Sequence, residues 1–169
     1  MVESPPGPFV LSPDASGSRQ CRGSSKDPDA KELAITTEYS KPLPEVTDEN
    51  RPFWEGCQRH ELLLQKCTQC GHYRHTGPAC TECWSADSKW EPASGKGVVY
   101  SWIEVHQRYN RAFEDDLPYN VAIVELAEGP RLVANVTGAG SQDIQPAMAV
   151  EVVWDDVTEE VTLPRFAPV

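Results

Sequence analysis

The second half of the chain is patterned in twos. Over residues 98–107, Val99, Ser101, Ile103 and Val105 fall on one face of an extended run, and Val98, Tyr100, Trp102 and Glu104 on the other. A polar loop follows over residues 108–116 and closes with Leu117-Pro118-Tyr119. Residues 120–126 predict a second strand, Glu128-Gly129-Pro130 a turn, and residues 131–136 a third strand. Gly138-Ala139-Gly140-Ser141 opens a longer connection through Pro146, residues 148–154 predict a fourth strand, and residues 160–166 a fifth. The first strand is long enough to bend and serve two sheet edges, which suits a five-stranded Greek-key barrel of the OB type, although another small barrel or sandwich has the same strand count. Upstream the period changes. A helix is predicted from Thr47, with Asp48, Glu49 and Asn50 at its start and Pro52 in its first turn; Phe53, Trp54 and Cys57 share a face. Residues 62–65 then predict a short strand.

Between that strand and Trp90 the large aliphatics stop, and four cysteines take their place. Cys67-Thr68-Gln69-Cys70-Gly71 and Cys80-Thr81-Glu82-Cys83 are two Cys-x-x-Cys pairs. Two intervening residues let one tight turn aim both sulfurs at one ion, and two such turns complete the tetrahedral four-thiolate shell of a structural zinc site. Gly71 stands where such a turn requires positive φ. A segment this poor in apolar residues builds no core without a metal or disulfides. Disulfides need an oxidising compartment, a redox Cys-x-x-Cys belongs beside a βαβ pattern that is absent here, and iron remains open as an alternative to zinc. Cys67, Cys70, Cys80 and Cys83 fill every ligand position, which leaves His72 and His75 as surface histidines. Trp84 follows the second pair where a small residue would sit more easily, so that turn is expected to be the less regular one.

Composition narrows the function. The 169 residues carry a net charge of −11, which disfavours binding to a phosphate backbone. No run of apolar residues is long enough to span a membrane, and no export signal appears at the start, so a cytoplasmic protein with Cys21 and Cys57 as free thiols is expected. Residues 1–44 hold seven prolines among Ser and Gly clusters and read as a flexible arm or linker. The remaining units are residues 45–66, the helix and lead-in strand; 67–93, the ribbon; and 94–169, the barrel.

No catalytic constellation is expected. Ser101 and His106, which could be set in a triad with Asp115, lie five apart on one strand and point to opposite faces. The carboxylate pairs Asp115-Asp116 and Asp155-Asp156 sit beside turns. Candidate ligand or partner contacts are Tyr100 and Trp102 on one strand face, Arg108 and Arg111 as the cations best placed to meet a phosphate-bearing ligand, and Tyr119 at the loop's end. For Trp102, packing inside the protein is the favoured alternative.

The assembled motifs resemble a known family. Pro52-Phe53-Trp54, the stretch Leu62-x-Leu64-Gln65-Lys66-Cys67-x-x-Cys70-Gly71, Pro78-x-Cys80-x-x-Cys83, Ser94-Gly95-Lys96-Gly97-Val98-Val99-Tyr100-Ser101-Trp102, Leu117-Pro118-Tyr119 and Glu128-Gly129-Pro130-Arg131 are similar to those of the DUF35 family of acyl-CoA-associated OB-fold proteins. The resemblance runs from about Asp48 to Pro168. It implies a mainly β fold: an N-terminal helix, a rubredoxin-like zinc ribbon and a C-terminal OB barrel. It also implies a non-catalytic small subunit of a thiolase-like partner, which would be a thiolase, acyltransferase or aldolase, steroid side-chain aldolases included. The assembly would be a heterotetramer or larger, with an acyl-CoA at hand. Some members are fused behind a hydratase domain, which suits the linker-like arm. Two readings compete with it: a single-stranded nucleic-acid binder and a stand-alone acyl-CoA-binding protein.

Overall fold

The structure, a computed structural model, describes residues 39–169. The expected arm therefore falls, up to residue 38, outside the described residues, as does Cys21.

Helix α1 spans Arg51–Gln58, four residues later than the charged run at its start suggests. The reason is local. Asn50 Oδ1 accepts the Thr47 N–H at 2.7 Å, and the Asn50 amide donates to the Glu45 carbonyl at 3.0 Å, so residues 47–50 form a turn that launches the helix. Pro52 occupies the first turn, where its missing N–H costs nothing. The end is a Schellman motif: His60 N–H reaches Cys57 O and Glu61 N–H reaches Gly56 O, each at 2.9 Å. His60 takes the left-handed position at φ 60°. It stacks on Trp154, with ring centroids 5.5 Å apart, and meets Asp156 Oδ1 at 3.0 Å, so the barrel holds the strained residue in place.

A three-stranded antiparallel sheet follows. Its central strand, β1 (Leu63–Cys67), lies between β2 (Tyr73–Arg74) and β3 (Ser88–Pro92). β1 carries the apolar signal of Leu63 and Leu64 and was legible, displaced by one residue at its start. β2 is two residues long and β3 is polar, and neither shows in the hydrophobic pattern.

The five predicted strands are present as β4 (Lys96–Val105), β5 (Tyr119–Leu126), β6 (Arg131–Ala134), β7 (Ala149–Asp156) and β8 (Thr162–Pro168), in sheet order β6-β5-β4-β7-β8. β4 serves two neighbours as expected: it pairs with β5 along its length and with β7 through Lys96, Gly97 and Val98. The sheet curls into a half-barrel. Its ends meet where Val136 bridges Phe166 in parallel, with Phe166 N–H to Asn135 O at 3.0 Å and Thr137 N–H to Phe166 O at 2.7 Å. The loop before β5 contains a 3-10 turn, Arg111–Asp116, started by Asn110, whose side chain accepts the Ala112 N–H at 2.9 Å.

One expectation about β4 fails. Val99 pairs with Val124 but Ser101 pairs with Ile123, so Tyr100 is the extra residue of a β-bulge. The alternation changes phase there. Val99 is buried, Ile103 four residues further on is 61% exposed, and Trp102 packs against the core while Tyr100 does not. Tyr100 and Trp102 therefore do not share a face.

The core is common to all parts of unit 39–169. Phe53 and Cys57 of α1 and Leu62 and Leu64 around β1 join Val99, Val124, Val150 and Phe166 of the barrel in one buried cluster. Among the described residues no helix is long and apolar enough to cross a membrane.

Candidate metal centre and binding face

The two cysteine turns are built alike, so the second is not the less regular turn expected from Trp84. Cys67 N–H donates to His72 O at 2.8 Å and Gly71 N–H to Cys67 O at 2.9 Å; Cys80 N–H donates to Ser85 O at 2.8 Å and Trp84 N–H to Cys80 O at 3.0 Å. Each turn thus needs a left-handed residue after its second cysteine. Gly71 supplies it at φ 77°, and Trp84 supplies it at φ 62° with its ring 81% exposed. The backbone N–H groups of Cys70 and Gln69 face the Cys67 sulfur and draw its pKa down to about 6; those of Cys83 and Glu82 lower that of Cys80 in the same way.

The four sulfurs lie within 4.8 Å of one another, with Cys67 and Cys83 at 3.6 Å and Cys70 and Cys80 at 3.5 Å. A regular tetrahedron with metal–sulfur bonds of about 2.3 Å has edges of about 3.8 Å, so the cluster fits one zinc ion with no position left for a substrate. Cys67, Cys70, Cys80 and Cys83 would hold it, and the ion would supply folding energy rather than chemistry. Of the two loop histidines, His72 stays half-exposed, whereas His75 is packed inward, unlike the surface position expected of it. His72 bonds Thr81 Oγ1 at 3.3 Å. His75 packs edge-on against Phe53 with centroids 4.4 Å apart, and burial lowers its pKa. Neither joins the sulfur cluster.

The other candidate residues are scattered around the barrel. Tyr100 is 53% exposed, and the Arg131 guanidinium lies 3.5 Å from its ring centroid. Trp102 is turned inward. Arg108 is exposed but engaged, donating to both oxygens of Glu114 at 2.9 and 2.8 Å, and Arg111 is exposed without an ion pair among the described residues. Tyr119 packs against Phe113, 5.7 Å between centroids, and lines a cavity of about 590 Å³. Lys41, Asn135 and Arg165 contribute polar atoms to this cavity; Lys41 pairs with Asp116, and Arg165 pairs with Asp155 and donates to Asn135 at 2.6 Å. The cavity escaped the sequence reading because its walls come from five separate segments.

Known proteins share this arrangement. Residues 54–88 match the family model "ChsH2, rubredoxin-like zinc ribbon domain", and residues 90–155 match "ChsH2, C-terminal OB-fold domain". A DUF35 domain-containing scaffold protein of Methanothermobacter thermautotrophicus is 36% identical over 106 residues, covering 61% of this chain and 78% of the relative. A probable enoyl-CoA hydratase alpha subunit of Thermomonospora curvata is 40% identical over 129 residues; the match covers 76% of this chain but spans only 40% of the relative's length. A solved structure described as an Ltp2-ChsH2(DUF35) aldolase superposes with a TM-score of 0.67 at 39% identity, over 75% of this chain and 98% of that one.

Proposed function

The chain belongs to the DUF35 family, and from that premise we propose that it is a non-catalytic accessory subunit that stabilises and completes a thiolase-like or aldolase partner acting on an acyl-CoA. The observation that carries this reading is the likeness, over 75% of this chain and 98% of that one, to a chain solved as part of an Ltp2-ChsH2(DUF35) aldolase. The site chemistry agrees with it. The metal cluster has its four thiolates and no open position, and among the described residues several of the barrel's charged side chains are held in ion pairs, Arg108–Glu114 and Arg165–Asp155 among them. Reaction chemistry then belongs to the partner, in a cytoplasmic complex that is a heterotetramer or larger. The CoA thioester passes near the cavity beside Tyr119, and Arg111, exposed and without an ion pair among the described residues, is a cation that can meet its phosphates.

The nucleic-acid reading loses its platform. Tyr100 and Trp102 lie on opposite faces and stack no successive bases, and the net charge of −11 repels a polyanion.

Co-expression with a thiolase-like subunit from the same organism tests the proposal. The two chains are expected to co-purify, and acyl-CoA cleavage or condensation to require both. A partner that is fully active alone, with this chain recovered as a separate monomer, overturns it.

A further inference from the structure

The outer face of the half-barrel carries the wrong residues for solvent. In β5, Ala122 and Val124 point inward, so Val121, Ile123 and Glu125 point out. The pairing extends that outward set sideways. Val98 and Arg131 flank Glu125, Ser101 and Val133 flank Ile123, and Ile103 lies beside Val121. The bulge adds Tyr100 to the same surface. Ile103 is 61% exposed, Val133 72%, Tyr100 53% and Val98 37%. Three adjacent strands thus offer a contiguous apolar surface of the kind that marks interaction sites on soluble proteins. The charges within it cancel: Arg131 pairs with Glu125 at 2.8 Å and lies flat on the Tyr100 ring.

We infer that this outer face of β4–β5–β6 is the surface that docks the thiolase-like subunit, an inference that rests on the accessory-subunit reading. Charge selects the occupant. A second copy would bring two chains of net charge −11 together over a face that offers no countercharge. A subunit of lower negative charge meets less of that repulsion, and an apolar patch is all that the neutralised face requires of it. Position gives the contact a purpose. Val121 and Val133 also line the 590 Å³ cavity, so a partner seated on the face closes the cavity's mouth and shares whatever it holds.

The test places Glu at both Ile103 and Val133 in the full chain and measures affinity for the co-expressed thiolase-like subunit. Zinc content and melting temperature should match wild type, because both side chains point outward. Affinity should fall at least tenfold. Trp84→Glu, which inserts one such charge at the exposed ribbon tip, should leave affinity unchanged. A double variant that binds within twofold of wild type overturns the docking face and leaves the accessory-subunit reading intact. A wild-type chain that binds no such subunit overturns that reading and the docking face with it. Wild-type self-association that the double variant abolishes overturns the choice of occupant. Should the double Glu variant fail to fold, Ile103→Ala with Val133→Ala decides through the same measurement: a loss of affinity supports the face and wild-type binding overturns it.

Discussion

Gly71 and Trp84 hold the same position in two copies of one turn, and only one of them is suited to it. Both have φ above 60°, where a Cβ crowds the neighbouring carbonyl and costs a residue other than glycine about 1–2 kcal/mol. The Trp84 ring recovers little of this, because it stands in solvent. Trp84→Gly is therefore expected to stabilise the zinc-loaded protein by about 1 kcal/mol, less the entropy that glycine adds to the unfolded chain. Thermal melting with zinc in excess measures it, and a lower midpoint would show that the indole contributes something the free chain does not reveal. At this scale the sequence was informative. The four cysteines and the misfit of Trp84 are local facts of spacing and residue type. The Schellman cap at His60 was not legible, because a histidine replaces the glycine that announces such a cap and its stabilising contacts come from Trp154 and Asp156, far along the chain.

At the level of elements, legibility followed periodicity. β5 alternates buried and half-buried positions without a break, and its pattern alone defined it. β4 appeared equally regular, yet the bulge at Tyr100 reverses its second half. No turn residue signals that break; it is set by pairing with β5, which sequence periodicity does not contain. The same pairing makes Gly97 indispensable. A Cβ there would lie 2.6 Å from the Glu125 carbonyl oxygen and 2.8 Å from Val124 Cγ1, so β4 and β5 would have to part. Gly97→Ala is expected to cost about 2 kcal/mol, within the range of overpacked cores. Urea denaturation measures this, and an unchanged midpoint would mean that the strands separate at no cost.

At the largest scale, the ribbon and barrel share one core. The ribbon was expected to lack a core of its own; in the structure Leu62 and Leu64 lie at 2% and 0% exposure in the core shared with Val99 and Phe166. Removing the metal should then be felt throughout. Chelation, or Cys80→Ser, is expected to lower the melting temperature of the entire unit in a single transition. Acid should do the same, because the thiolates must be deprotonated to bind metal: the contribution is lost as falling pH protonates them. Calorimetry showing a ribbon transition well separated from the barrel's would contradict the shared core.

That shared core also has a consequence in time. Phe53 and Cys57 emerge from the ribosome more than a hundred residues before Phe166, their partner in the core. At roughly 5–20 residues per second, the helix waits on the order of ten seconds for the strand that shelters it. During that interval its apolar side chains and the leucines behind it are open to any chaperone or subunit at hand, so a nascent partner could engage this chain before its own last strand does.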